Sequence, residues 1–108
     1  MRHEITKQEK IEILKAAIKE IKNNYERCLC FAIGTWYDLQ YDFPEVYKYK
    51  PYYAKAYWWP RNSIFAELRI RILEQAIKEI EGRTDEKEVR RLKRAISFWV
   101  FSYLLNFD

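Results

Sequence analysis

Residues 6–25 read TKQEKIEILKAAIKEIKNNY, and this stretch decides the fold class. Thr6 and Glu9 stand three residues apart at its start, the spacing at which a hydroxyl takes the N3 amide and the carboxylate reaches back to the cap amide. Ile11, Leu14, Ile18, Ile21 and Tyr25 then recur at intervals of three and four residues, which lines them up along one side of a helix. The pattern predicts an amphipathic helix over 7–23. Asn23 and Asn24 weaken it, and a second piece over 26–40 reads as a new helix or a bent continuation. In that piece Leu29, Phe31, Ala32, Ile33 and Trp36 are apolar nearly all round, which predicts a central buried helix. Gly34 within it costs about 1 kcal/mol relative to alanine and signals the close approach of another helix.

Helical periodicity returns over 63–82, SIFAELRIRILEQAIKEIEG. Asn62 or Ser63 can cap a helix over 64–81 whose buried stripe is Phe65, Leu68, Ile72, Leu73, Ala76, Ile77 and Ile80, with Gly82 as its left-handed C-terminal cap. Thr84 or Asp85 opens a last helix over 85–105, and Glu88, three residues after Asp85, makes a second capping-box pair. Val89, Leu92, Ile96, Trp99, Val100, Tyr103 and Leu104 continue one face. The run Phe98, Trp99, Val100, Phe101 is apolar on several faces, so it must be covered by the core or by a second subunit. A homodimer or higher oligomer joined through 98–105 is therefore expected. The predicted architecture is all-α: one domain over 1–108, a compact bundle of about four helices, with a long aromatic-rich connection between the second and third.

Pro44, Pro51 and Pro60 exclude a long helix from that connection, because each removes an amide donor and restrains the residue before it. A short helical turn can begin at Pro44, with Glu45 in its first turn. From Trp36 to Trp59 the chain carries eleven of its nineteen aromatic residues and seven of its nine tyrosines, interleaved with Lys48, Lys50 and Lys55. Aromatic faces beside cations can stack on a base while neutralising a phosphate. The same residue types dominate protein–protein hot spots. The aromatics divide between core packing and a ligand groove or subunit interface.

Composition bounds these readings. With 108 residues, 49% apolar and 33% charged, the chain has enough material for a core without disulfides or metal. A net charge of +4 favours an anionic partner mildly, since a protein that coats DNA is usually more lopsided. The most apolar stretch, Cys28 to Ile33, is too short to span a bilayer, and a charged N-terminus without a leader predicts a cytoplasmic protein with no membrane partner. Cys28 and Cys30, two residues apart, would fall on different faces of a helix and lack companions for zinc, so they read as two small buried thiols.

Few groups suit catalysis. His3 is the sole histidine and lies at the chain end, which argues against histidine-based acid–base or nucleophilic chemistry. Asp38, Asp42 and Glu45 could supply a carboxylate pair, although helix caps and solvated charges explain such spacing more simply. With only Gly34 and Gly82, no glycine-rich phosphate loop can be built. Lys87, Arg90, Arg91 and Arg94 share roughly one side of the last helix and could track a phosphate backbone, with Glu86 and Glu88 interrupting the charge. Arg69 and Arg71 point about 200° apart, so only one of them faces any given pocket.

Phe43-Pro44-Glu45, Tyr49-Lys50-Pro51, Tyr57-Trp58-Trp59-Pro60 and Arg71-Ile72-Leu73 together resemble a pattern in small uncharacterised proteins encoded by bacteriophages and related mobile elements. The resemblance covers roughly the middle third of the chain and brings no site residues with it. It implies a protein acting stoichiometrically on host defence, in the host cytoplasm, by sequestering a nucleotide signal or blocking a host protein. The expected protein is thus no enzyme and has no cofactor or metal. Its partner is a small anionic nucleotide-like ligand or, alternatively, a host defence protein, with nucleic acid behind both. The candidate ligand-binding residues are Trp36, Tyr37, Tyr49, Lys50, Tyr53, Lys55, Tyr57, Trp58, Trp59, Arg61 and Arg69.

Overall fold

The computed structural model describes residues 4–50 and 63–105, with side chains over 65–98 in the second stretch. Among the described residues the regular structure is entirely helical. Six helices follow in order: α1 (Lys7–Asn23), α2 (Leu29–Ile33), α3 (Leu39–Asp42), α4 (Pro44–Tyr47), α5 (Ser63–Ile80) and α6 (Glu86–Leu105).

The start of α1 is the expected capping box. The Glu9 amide donates to Thr6 Oγ1 at 3.1 Å, and the Thr6 amide donates to Glu9 Oε1 at 3.4 Å. Ile11, Leu14, Ala17 and Ile21 are buried, and this stripe packs chiefly on α5. Asn24 leaves the helix in extended backbone, so Tyr25 falls off the stripe that predicted it and stands 53% exposed.

The interior helix is α5, not the segment over 26–40. Phe65, Ala66, Leu68, Arg69, Ile72, Leu73, Ala76 and Ile77 are all buried there, and α1, α4 and α6 each pack against it. Its C-terminus closes as predicted. Gly82 has φ 75°, and the Arg83 amide turns back to the Lys78 carbonyl at 2.8 Å. Asp85 Oδ1 accepts the Lys87 amide at 2.9 Å to begin α6. Glu88, expected to close a second capping box, instead reaches across to α5 and accepts from Gln75 Nε2 and Lys78 Nζ, both at 2.9 Å. These donors hold the Glu88 carboxyl below its ordinary range, the Gln75 hydrogen bond foremost.

The helix predicted over 26–40 is two short helices with a corner between them. Gly34 ends α2 with φ 119° and ψ 137°, a conformation that takes the chain out of the helix. Its amide still reaches the Cys30 carbonyl at 3.0 Å, and the Tyr37 amide comes back to the Gly34 carbonyl at 3.3 Å. Asp38 then opens α3, its Oδ1 accepting the amides of Gln40 at 2.9 Å and Tyr41 at 3.4 Å. Trp36 sits in the corner rather than in a helical core, and is 92% exposed.

The turn of helix expected at Pro44 is α4, with proline in its first turn. Phe43 and Val46 are fully buried. Lys10 of α1 bonds Glu45 at 2.8 Å, and Lys48 pairs with Glu79 of α5, so α4 is tied to α1 and α5. The rest of the aromatic connection, residues 51–62, lies outside the described residues, as do the side chains of 99–105 on which the expected subunit contact rests. Phe98, at the start of that run, is 63% exposed. No described helix is long and apolar enough to cross a membrane.

Candidate functional site

The corner at Gly34 shapes a hollow of about 400 Å³ between α2, α3 and α4. Phe31, Tyr37, Leu39 and Tyr47 form its apolar walls, with Lys50 and Gln40 among its polar groups. Each wall residue is held for a local reason. Tyr37 meets buried Phe43 edge-on, with centroids 5.6 Å apart and planes at 87°, a geometry that aromatic quadrupoles favour. The chain that carries Tyr37 can turn there because Gly34 has no side chain to strain; a β-carbon built on Gly34 would touch the Tyr37 ring at 3.5 Å. Lys50 Nζ lies 5.3 Å from the centre of the Tyr47 ring, which pins an otherwise flexible ammonium beside an aromatic face.

The carboxylates near the hollow are engaged in holding the backbone. Asp38 caps α3, Asp42 Oδ2 accepts the Asp38 amide at 2.7 Å, and Glu45 pairs with Lys10. They therefore stabilise the corner and α4. Among the described residues no cluster of histidine, cysteine and carboxylate groups is arranged to hold a metal ion.

The two thiols do meet. Cys28 is the N-cap of α2 in extended backbone, so it is not on the helix that was expected to separate the pair, and its Sγ lies 3.4 Å from Cys30 Sγ. Cys30 lines the hollow. Burial, followed by the hydrogen bond and charge of Cys28, pushes the Cys30 thiol up to about 11, so it is protonated at neutral pH and a poor nucleophile.

Of the candidate residues, the hollow brings together Tyr37 and Lys50, with exposed Trp36 next to Tyr37 in the chain. Two others are interior groups and offer no surface to a ligand. Tyr49 is 3% exposed beneath α4, and its hydroxyl has no hydrogen-bond partner among the described residues. Burial, then the charges of Glu79 and Glu86, push its phenol up to about 12. Arg69 is fully buried on α5 and donates from Nη2 to the Tyr25 carbonyl, so it closes the end of α1 instead of meeting an anion from solvent. Tyr53, Lys55, Tyr57, Trp58, Trp59 and Arg61 lie outside the described residues. Sequence reasoning missed Phe31 and Tyr47. The signal for Tyr47 was present, because it precedes Lys50 by three residues within the aromatic and basic stretch. Phe31 was hidden by the helix assumed to continue through Gly34.

Compared with protein-family models, curated proteins and solved structures, the chain gives no match. The functional reading consequently rests on the geometry of the hollow and the chemistry of its walls.

Proposed function

We propose that this chain is a non-catalytic binding protein that holds a small, planar, anionic ligand of nucleotide type in the hollow between α2, α3 and α4. The observation that carries this reading is the convergence of Phe31, Tyr37 and Tyr47 with the Lys50 ammonium around about 400 Å³ of space. That volume falls in the range of about 300–1,000 Å³ usual for small-molecule sites. The aromatic walls suit a base, and a single ammonium suits one phosphate better than a chain of them. Sequestration would be stoichiometric, the role that the resemblance to phage-encoded proteins implies.

The test is a thermal-shift panel of mononucleotides, cyclic dinucleotides and ADP-ribose derivatives. A ligand that binds only the folded state raises the melting temperature by mass action, by about 2.7 kcal/mol of stability at a hundredfold excess over Kd. Lys50→Ala should reduce that shift, most at low salt, and leave the unliganded melt unchanged. A flat panel, or a shift that survives Lys50→Ala intact, overturns the nucleotide reading.

A second reading is favoured by Trp36 and Tyr41, 92% and 72% exposed and each adjoining a lining residue of the hollow in the chain. Exposed tryptophan and tyrosine are the usual anchors of a protein interface. On this reading the chain blocks a host defence protein. Trp36→Ala would then abolish a stoichiometric complex on size-exclusion chromatography while the melt of the free protein stays the same.

A further inference from the structure

Cys28 and Cys30 are the two cysteines of the chain, and both are free thiols. Residues two apart on a regular helix point about 200° from one another, which would hold their sulfurs apart. Here only Cys30 is on the helix. Cys28 precedes α2 with ψ 162°, and its Sγ lies 3.4 Å from Cys30 Sγ. Leu29, between them, is the first residue of α2. The Cα atoms on either side of a helical residue stand about 5.4 Å apart, inside the window of about 4.4–6.8 Å that a disulfide spans. Backbone and sulfurs are thus both placed for closure, and the sulfurs need approach by only about 1.4 Å to reach bonding distance. The Cys28 side chain makes no capping hydrogen bond, so closure costs α2 no cap.

The two thiols differ in access. Cys28 is 3% exposed, whereas Cys30 is only partly buried and lines the hollow, where a small reagent meets it first. An accessible thiol with a second, covered thiol in contact is the arrangement of an attacking and a resolving cysteine. Two thiols alone are too few to complete a zinc site. We propose that Cys28 and Cys30 are a redox-active pair that exchanges with a small disulfide of the glutathione type, met at the hollow, and ends as an intramolecular Cys28–Cys30 disulfide. The Cys30 thiolate, its proton lost to water, attacks one sulfur of the reagent, breaks its S–S bond and expels one glutathione thiolate. The Cys28 thiolate then attacks Cys30 Sγ and expels the second. Each leaving thiolate takes up a proton, so one protein dithiol is oxidised and one glutathione disulfide is reduced to two glutathiones. Burial, with Cys28 beside it, holds the Cys30 thiol at about 11, which makes the first step slow at neutral pH. The chemistry uses a wall of the hollow but does not depend on what the hollow binds.

The test treats the full, reduced chain with excess glutathione disulfide at about pH 8.5, where an ordinary thiol is half ionised, and follows it to completion by intact mass and by thiol titration in denaturant. The parent should lose both thiols and two hydrogens of mass, carry no glutathione, stay free of disulfide-linked dimers, and regain both thiols when excess dithiothreitol is added. Cys28→Ala lacks the resolving thiol and should stop with one glutathione attached at Cys30. Cys30→Ala leaves only the covered thiol and should react at least about tenfold more slowly than Cys28→Ala. Circular dichroism of both variants checks that the helices are kept, and the parent's result decides on its own whether the pair closes. The inference is overturned if the parent keeps both thiols, accumulates glutathione adducts or cross-links between chains. It is equally overturned if Cys30→Ala, still folded, takes up glutathione as fast as Cys28→Ala does.

Discussion

Gly34, Tyr49 and Arg69 each show a side chain, or its absence, working against the simplest reading of the sequence. At φ 119° Gly34 occupies backbone space that other residues enter only under strain. Gly34→Ala should destabilise the protein by about 1–3 kcal/mol, measurable by denaturant melts, through backbone strain alone, because the added β-carbon would meet the Tyr37 ring at an ordinary contact distance of 3.5 Å. Tyr49 poses the opposite problem, a phenol whose oxygen is buried without a hydrogen-bond partner among the described residues. Tyr49→Phe removes an unsatisfied group and keeps the ring, so it should be neutral or stabilise by up to about 1 kcal/mol. The pH dependence follows from the same burial. The phenol is raised from its ordinary value of 10.0 to about 12, so its contribution to stability is complete below pH 10 and is lost as pH rises towards 12. Alkaline melts of the parent should therefore show a loss in that window that is smaller in Tyr49→Phe.

Among elements, the long helices and the turn at Pro44 were legible, and the two short helices before that turn were not. α1, α5 and α6 declare themselves because their apolar residues repeat over four turns or more, and a wrong phase anywhere would expose the stripe. α2 and α3 have five and four residues, too few for a period to register. Of the two marks that divide them, Gly34 was read as tolerable within a continuous helix, and Asp38 as one of three carboxylates whose spacing helix caps or solvated charges explain. What decides otherwise is their joint effect: Gly34 leaves the helix and Asp38 supplies a fresh cap four residues later. α3 itself buries no residue fully; its cap, the contact of Leu39 with the core and its packing on α4 are what hold it. Its amides should exchange with solvent through local opening, while those of α1 and α5 exchange only with global unfolding. Comparable protection of α3 and α5 by hydrogen exchange would contradict this account.

At the scale of the molecule, α5 is the shared wall against which α1, α4 and α6 are built. Leu73 is fully buried in it, and Leu73→Ala should cost about 2–5 kcal/mol and shift a single cooperative transition, observed identically by far-UV circular dichroism and tyrosine fluorescence. The site was only half legible at this scale. Composition marks an aromatic and basic region of the chain, but composition carries no inward or outward sense. Tyr37 and Tyr49 are equivalent as letters, yet one lines the hollow and the other is sealed beneath α4. The difference arises from Phe43 and Val46, whose burial turns α4 so that Tyr49 follows them into the core.

The clasps from α4 to the long helices have a practical meaning for whatever occupies the hollow. Lys10–Glu45 and Lys48–Glu79 join one wall of the hollow to α1 and α5. Tyr47, on that wall, lies between the two clasped positions, so a guest leaning on it pulls against the whole frame and not against a loose flap. On the proposed binding reading, occupancy would then be broadcast: an instrument watching only the far side of α1 should register the guest's arrival.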